Sequence, residues 1–146
     1  VQNHSYVNGG NSDGEHFGTP GQLNERLSTS NTETCNTYNM LKLTRHLFSW
    51  QSLPEYSAYY ERAVFNHILA SQNPDDGMCT YYTPLISGGK KGYLSPFQSF
   101  CCCSGSGMEN HVKYGFQPLG ESVHPFAIEL DGPEDDCYPG YGYPFF

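Results

Sequence analysis

The chain has 146 residues and a formal net charge of −8, with 15 acidic residues against 7 lysines and arginines. This acidity argues against binding to nucleic acid, whose phosphates attract a basic surface, and against binding to an anionic membrane. The longest apolar runs are far too short to span a bilayer, so we expect no membrane partner. The length itself fits a single domain.

Two amphipathic helices are predicted in the first half of the chain. Residues 1–31 are interrupted by glycine and proline and are expected to form loops. Residues 32–50 have an apolar stripe and a polar face, which predicts a helix. The residues of that stripe are Cys35, Tyr38, Leu41, Leu43, Phe48 and Trp50. Pro54 and Glu55 predict the start of a second helix over 54–72, with Leu69 on its buried side.

The second half of the chain is predicted to be less regular. Residues 78–85 and 92–97 have strand-like composition and are joined by ISGGKK, which predicts a short β-hairpin. Residues 104–107 are expected to form a turn, and residues 108–115 a short helix. Residues 116–146 are rich in Tyr, Pro and Gly and are predicted to form an irregular tail.

The cysteine pattern indicates a metal site or a reactive thiol. Cys101, Cys102 and Cys103 are consecutive, and neighbouring cysteines rarely reach disulfide geometry without strain. Clustered thiols of this kind more often bind a metal ion or take part in chemistry. Glu33 and Cys35 lie two residues apart at the start of the first predicted helix, so both could point into the same site.

Two interpretations of these residues follow from their chemistry. Three thiols and one carboxylate form a ligand set that suits zinc in a four-coordinate tetrahedral site. Alternatively, the cysteines are reduced core residues, and Glu33 is an ordinary acid in the first turn of a helix. The residues alone leave both interpretations open.

A further candidate acid is Glu15, which lies in the glycine-containing loop SDGEHF. Catalytic residues are over-represented in loops. A solvated loop acid is the simpler interpretation of a single carboxylate in such a position. The adjacent His16 could line a pocket beside it.

Five stretches of the sequence resemble glycoside hydrolase family 127, the β-L-arabinofuranosidases. These stretches follow one another in the family's order, from about residue 5 to residue 115. They are GGNSDGEHFG (9–18), ETCNTYNMLKLTRHLF (33–48), YYERAVFNHILASQNPDDG (59–77), YYTPL (81–85) and FCCCSGSGMENHVKYG (100–115).

The resemblance implies a mainly α fold that is part of an (α/α)6 barrel, and the residues themselves add a short β-hairpin and an irregular C-terminal tail, which departs from the family's pattern. Residues 1–115 would belong to the catalytic domain and residues 116–146 to the tail. A closed barrel needs many more helices than this chain supplies. We therefore expect a fragment of a larger enzyme or a truncated relative, with exposed apolar helix faces that favour self-association or the missing remainder of the chain.

The resemblance also implies a set of site residues. Glu33, Cys35, Cys102 and Cys103 would bind Zn²⁺, and Cys102 would be the nucleophile of a retaining glycosidase. Glu15 would be its general acid and base.

The resemblance places Tyr81 in the sugar pocket, and we expect His16 to contact the substrate as well. Cys101 stands where family members commonly carry a bulky residue. The choice of the two metal-binding cysteines among residues 101–103 therefore stays open by one position.

Two functions of different classes follow from the sequence. The first is a glycoside hydrolase that releases L-arabinofuranose-type sugars from an arabinose-containing glycan. The second is a non-catalytic structural or self-assembling protein derived from this enzyme core. Cytoplasmic and secreted locations are both compatible with the sequence, because a zinc-bound thiolate can survive outside the cytoplasm.

Overall fold

Helices α1 and α2 form a hairpin that carries the apolar core. The computed structural model describes residues 2–112 and is mainly helical, as predicted. Helix α1 spans Thr34–Trp50, and α2 spans Pro54–Ala63. Pro54 suits the first turn because its φ is already helical, and Glu55 complements the helix dipole there. Both predicted helices are confirmed, the second with its predicted first residue.

The second helix changes its winding before it ends. Val64–Ile68 forms a π-helical turn that continues from α2, and α3 follows directly at Leu69–Ser71. Apolar side chains from α1, α2 and this turn form one cluster, with Met40 and Phe48 packed against it. The buried members are Leu41, Tyr59, Tyr60, Ala63, Val64 and Ile68.

Three apolar residues that were expected to be buried lie on the outside of the helices. Leu43 and Leu69 are each 47% exposed, and Trp50 is 77% exposed. Leu43 lies two residues after the buried Leu41, which is about 200° further around the helix. The predicted apolar stripe is therefore too wide, because residues at this spacing cannot share one face.

The short antiparallel hairpin is present, but it is not formed by residues 78–85 and 92–97. Strand β1 is Ser12–Asp13, and it pairs with β2 at His16–Phe17. The segment around Tyr93 forms an isolated bridge to Thr80. Residues 80–83 make most of their backbone hydrogen bonds to the start of α1 instead, which explains why no regular hairpin forms there.

Helix α4 spans Cys102–Val112 and begins well before the predicted start at residue 108. The predicted turn at 104–107 is wrong, because these residues lie inside the helix. Glycine has low helix propensity. However, Gly107 packs so closely on Cys79 that a Cβ there would lie 2.8 Å from the Cys79 Sγ atom. This tertiary contact overrides the local preference of the sequence.

Some of the predictions concern residues beyond this part of the chain. The predicted tail at 116–146 and the end of the predicted helix 108–115 lie outside the described residues, as does Cys137. Between residues 2 and 112, no helix has both the length and the apolar character needed to cross a bilayer.

His67 is fully buried in the π-helical turn and joins it to α1. Its Nδ1 atom lies 2.8 Å from the Thr37 Oγ1 atom, so the two side chains share a hydrogen bond. Burial lowers the pKa of His67 to about 4, because a charged imidazole cannot be solvated there. The packing of the two helices therefore depends on a neutral imidazole.

We expect His67 to make the fold less stable as the pH falls from about 6.5 to about 4. In this window the unfolded chain binds a proton on the imidazole and the folded chain does not, so acid favours unfolding. The loss should approach about 3 kcal/mol. Urea denaturation of the wild type and of His67→Gln over this pH range measures it. Parallel stability profiles for the two proteins would contradict this prediction.

Candidate active site

Three chain segments converge at the start of α1 and are joined there by hydrogen bonds. On one side, the Thr32 N–H donates to the Ser12 carbonyl at 2.8 Å, and the Glu33 N–H donates to the Ser12 hydroxyl at 2.9 Å. On the other side, the Thr34 N–H donates to the Tyr81 carbonyl at 3.0 Å. These bonds fix the start of α1 between the hairpin and the segment that contains Tyr81.

The backbone is left-handed at one candidate acid, Glu15, and at Thr32, the residue before the other one. Glu15 has a φ of 71° and Thr32 a φ of 48°, a conformation that costs a non-glycine residue about 1–3 kcal/mol. Thr32 precedes Glu33, and its hydroxyl donates to the Thr83 carbonyl at 2.9 Å. Such strain is found preferentially at functional sites. Here it occurs at Glu15 itself and at the residue that precedes Glu33.

Glu33, Cys35, Cys102 and Cys103 lie together although they come from distant parts of the sequence. Their ligand atoms, one carboxylate oxygen and three sulfurs, all lie within 4.8 Å of one another. The Cys102 and Cys103 sulfurs each lie 3.8 Å from Glu33 Oε1, and the Cys103 sulfur lies 3.3 Å from that of Cys35. The fold thus brings together the four residues that were predicted as metal ligands.

The first turns of two helices supply the three thiols. Cys35 lies in the first turn of α1, and Cys102 and Cys103 are the first two residues of α4. The two helices are also linked by the Cys35 sulfur and the Ser106 hydroxyl, which are 3.1 Å apart. Glu33 is the N-cap residue of α1, but its side chain makes no capping hydrogen bond. Its carboxylate can therefore face the thiols.

The donor set and its spacing fit a tetrahedral zinc ion. With Zn–S bonds of about 2.3 Å, neighbouring sulfurs in a tetrahedral site are about 3.8 Å apart. The Cys103 sulfur lies 4.0 Å from that of Cys102 and 3.3 Å from that of Cys35, on either side of this value. Soft sulfur ligands with one carboxylate also match the preference of zinc. These four residues could hold Zn²⁺.

The thiols and the carboxylate share their protons. Burial and, after it, the nearby Glu15 raise the pKa of Glu33. The Cys103 thiol donates to the Cys35 sulfur, which lowers the pKa of Cys35 to about 7 and raises that of Cys103 far above its usual range. Partial loss of solvation on the side that faces the cluster also raises the pKa of Cys102, although the residue as a whole is exposed. A metal ion would have to displace protons here, so its affinity should fall as the pH falls.

Tyr81 connects the predicted nucleophile with the predicted acid. Its hydroxyl donates a hydrogen bond to Glu15 Oε1, and the Cys102 sulfur lies 3.8 Å from the same hydroxyl oxygen. The bond to Glu15 is the main reason why the pKa of Tyr81 is raised far above its usual range. Tyr81 therefore stays protonated as a donor, and a single phenol oxygen separates Glu15 from Cys102.

Tyr82 contacts the same carboxylate, a contact that the strand-like pattern of the sequence does not predict. Its hydroxyl donates to Glu15 Oε1 at 3.3 Å, and burial raises its pKa to about 12. In the predicted strand, Tyr81 and Tyr82 would point to opposite faces. Because this segment is not a regular strand, the two rings pack with centroids 4.6 Å apart. The Tyr-Tyr repeat itself is the signal that could have identified Tyr82.

Comparison with known proteins identifies the family of this chain. The family model described as β-L-arabinofuranosidase, GH127 catalytic domain, matches residues 1–116. The chain belongs to glycoside hydrolase family 127. Its reaction class is therefore glycoside hydrolysis, and its substrate class is carbohydrate. A comparison with curated proteins gives no match.

In this family 127 chain, two other candidate residues directly follow or precede a predicted site residue in the sequence. His16 is on β2 directly after Glu15, and its side chain is exposed. Cys101 is not one of the four grouped ligands, and its sulfur lies 3.5 Å from the Ser104 hydroxyl. The cysteines between residues 2 and 112, including the buried Cys79, are all free thiols.

Replacing Gly107 with alanine should force α4 away from the segment that carries Tyr81. The new Cβ would lie 2.8 Å from the Cys79 sulfur, so we expect a loss of about 1–3 kcal/mol in unfolding free energy. Gly105→Ala is the matched control, because a Cβ there meets nothing within 4 Å. That change should stabilise α4 by about 0.5–1 kcal/mol.

Chemical denaturation of both glycine variants measures this difference. The double variant with Cys79→Ala should recover part of the loss, because the smaller side chain makes room for the new methyl group. Equal stability of the two glycine variants would contradict the close packing of α4 on Cys79.

Proposed function

We propose that this chain forms part of a retaining glycoside hydrolase that releases L-arabinofuranose-type sugars. In this proposal Cys102 is the nucleophile and Glu15 is the general acid and base. The observation that carries it is the contact of both groups with one phenol: the Tyr81 hydroxyl touches the Glu15 carboxylate and the Cys102 sulfur. A retaining glycosidase needs its two groups close together on either side of the glycosidic bond.

Exposure supports the choice of Cys102 among the thiols of the cluster. Cys102 is exposed, whereas Cys35 is half-buried and Cys103 is completely buried. Only a sulfur that reaches the surface of the site can approach an anomeric carbon. The buried sulfurs are better suited to remain as ligands.

Glu33, Cys35, Cys102 and Cys103 would hold the zinc ion. When bound, zinc keeps a coordinated thiol deprotonated near neutral pH. The chain contributes the spacing of the four ligands and the hydrogen bond between Ser106 and Cys35. It also leaves Cys102 open to the substrate.

The reaction would proceed in two steps with balanced proton transfers. In the first, the Cys102 sulfur bonds to the anomeric carbon as the glycosidic C–O bond breaks, and Glu15 gives its proton to the leaving oxygen. In the second, Glu15 takes a proton from water, whose oxygen bonds to the same carbon as the C–S bond breaks. Both residues return to their starting state, and the anomeric configuration is retained.

Tyr81 and His16 would contact the sugar in this proposal. Tyr81 lies between the two reacting groups, where its hydroxyl can also hydrogen-bond a sugar hydroxyl. His16 follows Glu15 in the sequence, and its exposed ring is accessible to a ligand. A furanose bound against Glu15 and Cys102 would therefore meet both side chains.

The metal site can be tested by zinc analysis of the purified chain. We expect about one zinc ion per chain, and we expect Cys103→Ala to lose it because a buried ligand has no substitute. Cys101→Ala is the matched control and should keep the metal. Zinc affinity should fall as the pH falls, because the thiols must release protons. Loss of zinc in Cys101→Ala but not in Cys103→Ala would show that Cys101 and Cys102 bind the metal instead of Cys102 and Cys103.

Catalysis can be tested with an aryl β-L-arabinofuranoside. Glu15→Gln should lower kcat/KM by about 10²- to 10⁴-fold, the usual contribution of a general acid and base. Glu25→Gln, which alters an exposed acid in another turn, is the control. With an activated substrate, Glu15→Gln should accumulate a sugar adduct on Cys102 that mass spectrometry can locate. An adduct on another residue, or full activity of Glu15→Gln, would refute the mechanism.

The non-catalytic alternative would be favoured by zinc binding without turnover. The exposed apolar side chains support it, since Trp50, Phe97 and Phe100 are 77%, 96% and 106% exposed. Such side chains commonly mark a surface that packs on a partner. In that case the cluster would serve as a structural metal site in a self-assembling protein.

A further inference from the structure

Two consecutive tyrosines meet the same oxygen of the Glu15 carboxylate. The hydroxyls of Tyr81 and Tyr82 both donate to Oε1, the second at 3.3 Å. The other carboxylate oxygen, Oε2, makes no hydrogen bond to any residue between 2 and 112. The two oxygens of this acid therefore have different surroundings, and the protein itself creates the difference.

The backbone holds Tyr82 firmly in this position. Tyr82 forms a bridge with Glu33, and the next residue, Thr83, donates its N–H to the Asn31 carbonyl at 3.0 Å. The ring is supported by that of Tyr81, with an angle of 47° between their planes. The Tyr82 hydroxyl is therefore carried by a fixed segment and not by a mobile loop.

We propose that Tyr82 is a positioning residue that holds Oε1 of Glu15 so that Oε2 exchanges the catalytic proton. This inference rests on the proposed role of Glu15 as general acid and base. In the first step the proton leaves Oε2 for the leaving-group oxygen as the C–O bond breaks and the C–S bond forms. In the second step Oε2 takes a proton from water as the C–S bond breaks, and Oε1 accepts from both phenols throughout.

Glu15 needs such support because, in the part of the chain that the structure describes, its carboxylate accepts hydrogen bonds from these two phenols alone. Its side chain is exposed and extends from a hairpin turn, and the terminal torsion of a glutamate has broad minima. A misoriented acid loses much of its effect, because proton transfer depends on the placement of the reacting atoms. Two donors on one oxygen restrict this torsion and present the other oxygen to the substrate.

Tyr82 is a better test of this idea than Tyr81. The Tyr81 hydroxyl also lies 3.8 Å from the Cys102 sulfur, so its removal would disturb both reacting groups. The Tyr82 hydroxyl donates its hydrogen bond to Glu15 and makes none to Cys102 among the described residues, although Glu33 and Cys103 are near enough to help raise its pKa. Its loss in Tyr82→Phe therefore reports on the orientation of the acid.

The test compares two β-L-arabinofuranosides that differ in the need for protonation of the leaving group. A dinitrophenyl group departs without much help, whereas an alkyl group requires the acid. We expect Tyr82→Phe to lower kcat/KM, which reports the step that releases the leaving group, by about 10-fold on the alkyl substrate and by less than about 2-fold on the dinitrophenyl substrate. Tyr56→Phe removes a half-buried hydroxyl on α2 and should leave both rates unchanged.

Equal effects of Tyr82→Phe on the two substrates, or no effect on either, would overturn the inference. Failure of the proposed function would look different. If Glu15 is not the general acid and base, the effect of Glu15→Gln on the rate would also be the same for both leaving groups. A leaving-group dependence in Glu15→Gln but not in Tyr82→Phe would therefore reject the positioning role of Tyr82 and leave the proposed mechanism standing.

A second measurement does not require turnover. In a chain isotope-labelled at its glutamate carboxyl carbons, the NMR signal of Glu15 can be assigned by its absence in Glu15→Gln. Tyr82→Phe should move this signal because a hydrogen bond to Oε1 is lost, and Tyr56→Phe should not. A Glu15 signal that stays in place in Tyr82→Phe would overturn the inference even if the isolated chain shows no activity.

Discussion

The pairing of the start of α1 with two loop segments is the constraint on which the rest of the site depends. A helix N-terminus has backbone N–H groups that usually need a side-chain cap. Here the Ser12 hydroxyl and the Tyr81 carbonyl accept from the N–H groups of Glu33 and Thr34 instead. Because the cap comes from elsewhere in the chain, the Glu33 carboxylate is free to approach the thiols. The same bonds fix the position of Tyr81, and through it that of Glu15.

This region is built from polar side chains, which determines how precisely the site is held. Between residues 2 and 112, more polar than apolar side chains are buried. Asn11, Asn31 and Thr80 are among those almost completely inaccessible to solvent. Buried polar groups are costly unless they are paired, but a paired network allows few alternative arrangements. The apolar core lies between α1 and α2, and the polar network beside it gives direction to the site residues.

Local periodicity predicts α1 and α2 well, because an amphipathic stripe and a helix-initiating proline are visible in the sequence. It does not predict α4, since the Gly107 that argues for a turn is required by its contact with Cys79. For the site, residue chemistry suggests that Glu33, Cys35 and the adjacent cysteines belong together, and the resemblance adds the role of Glu15. Tyr82 escapes prediction because its contact depends on an irregular backbone, which no alternation pattern describes.

The predicted metal ligands and Glu15, the proposed acid, form one electrostatic unit. Glu15 is the second cause, after burial, that raises the pKa of Glu33, and Tyr81 touches both Glu15 and Cys102. Negative charge on the acid therefore disfavours charge on a ligand, unless a cation is present to offset both. In the proposed enzyme, Glu15 alternates between its neutral and charged forms during each turnover. The arrangement of the four predicted ligands must therefore stay the same while the charge on Glu15 changes. Glu33 is buried against the three thiols, so its carboxylate is less free to move than an exposed one would be.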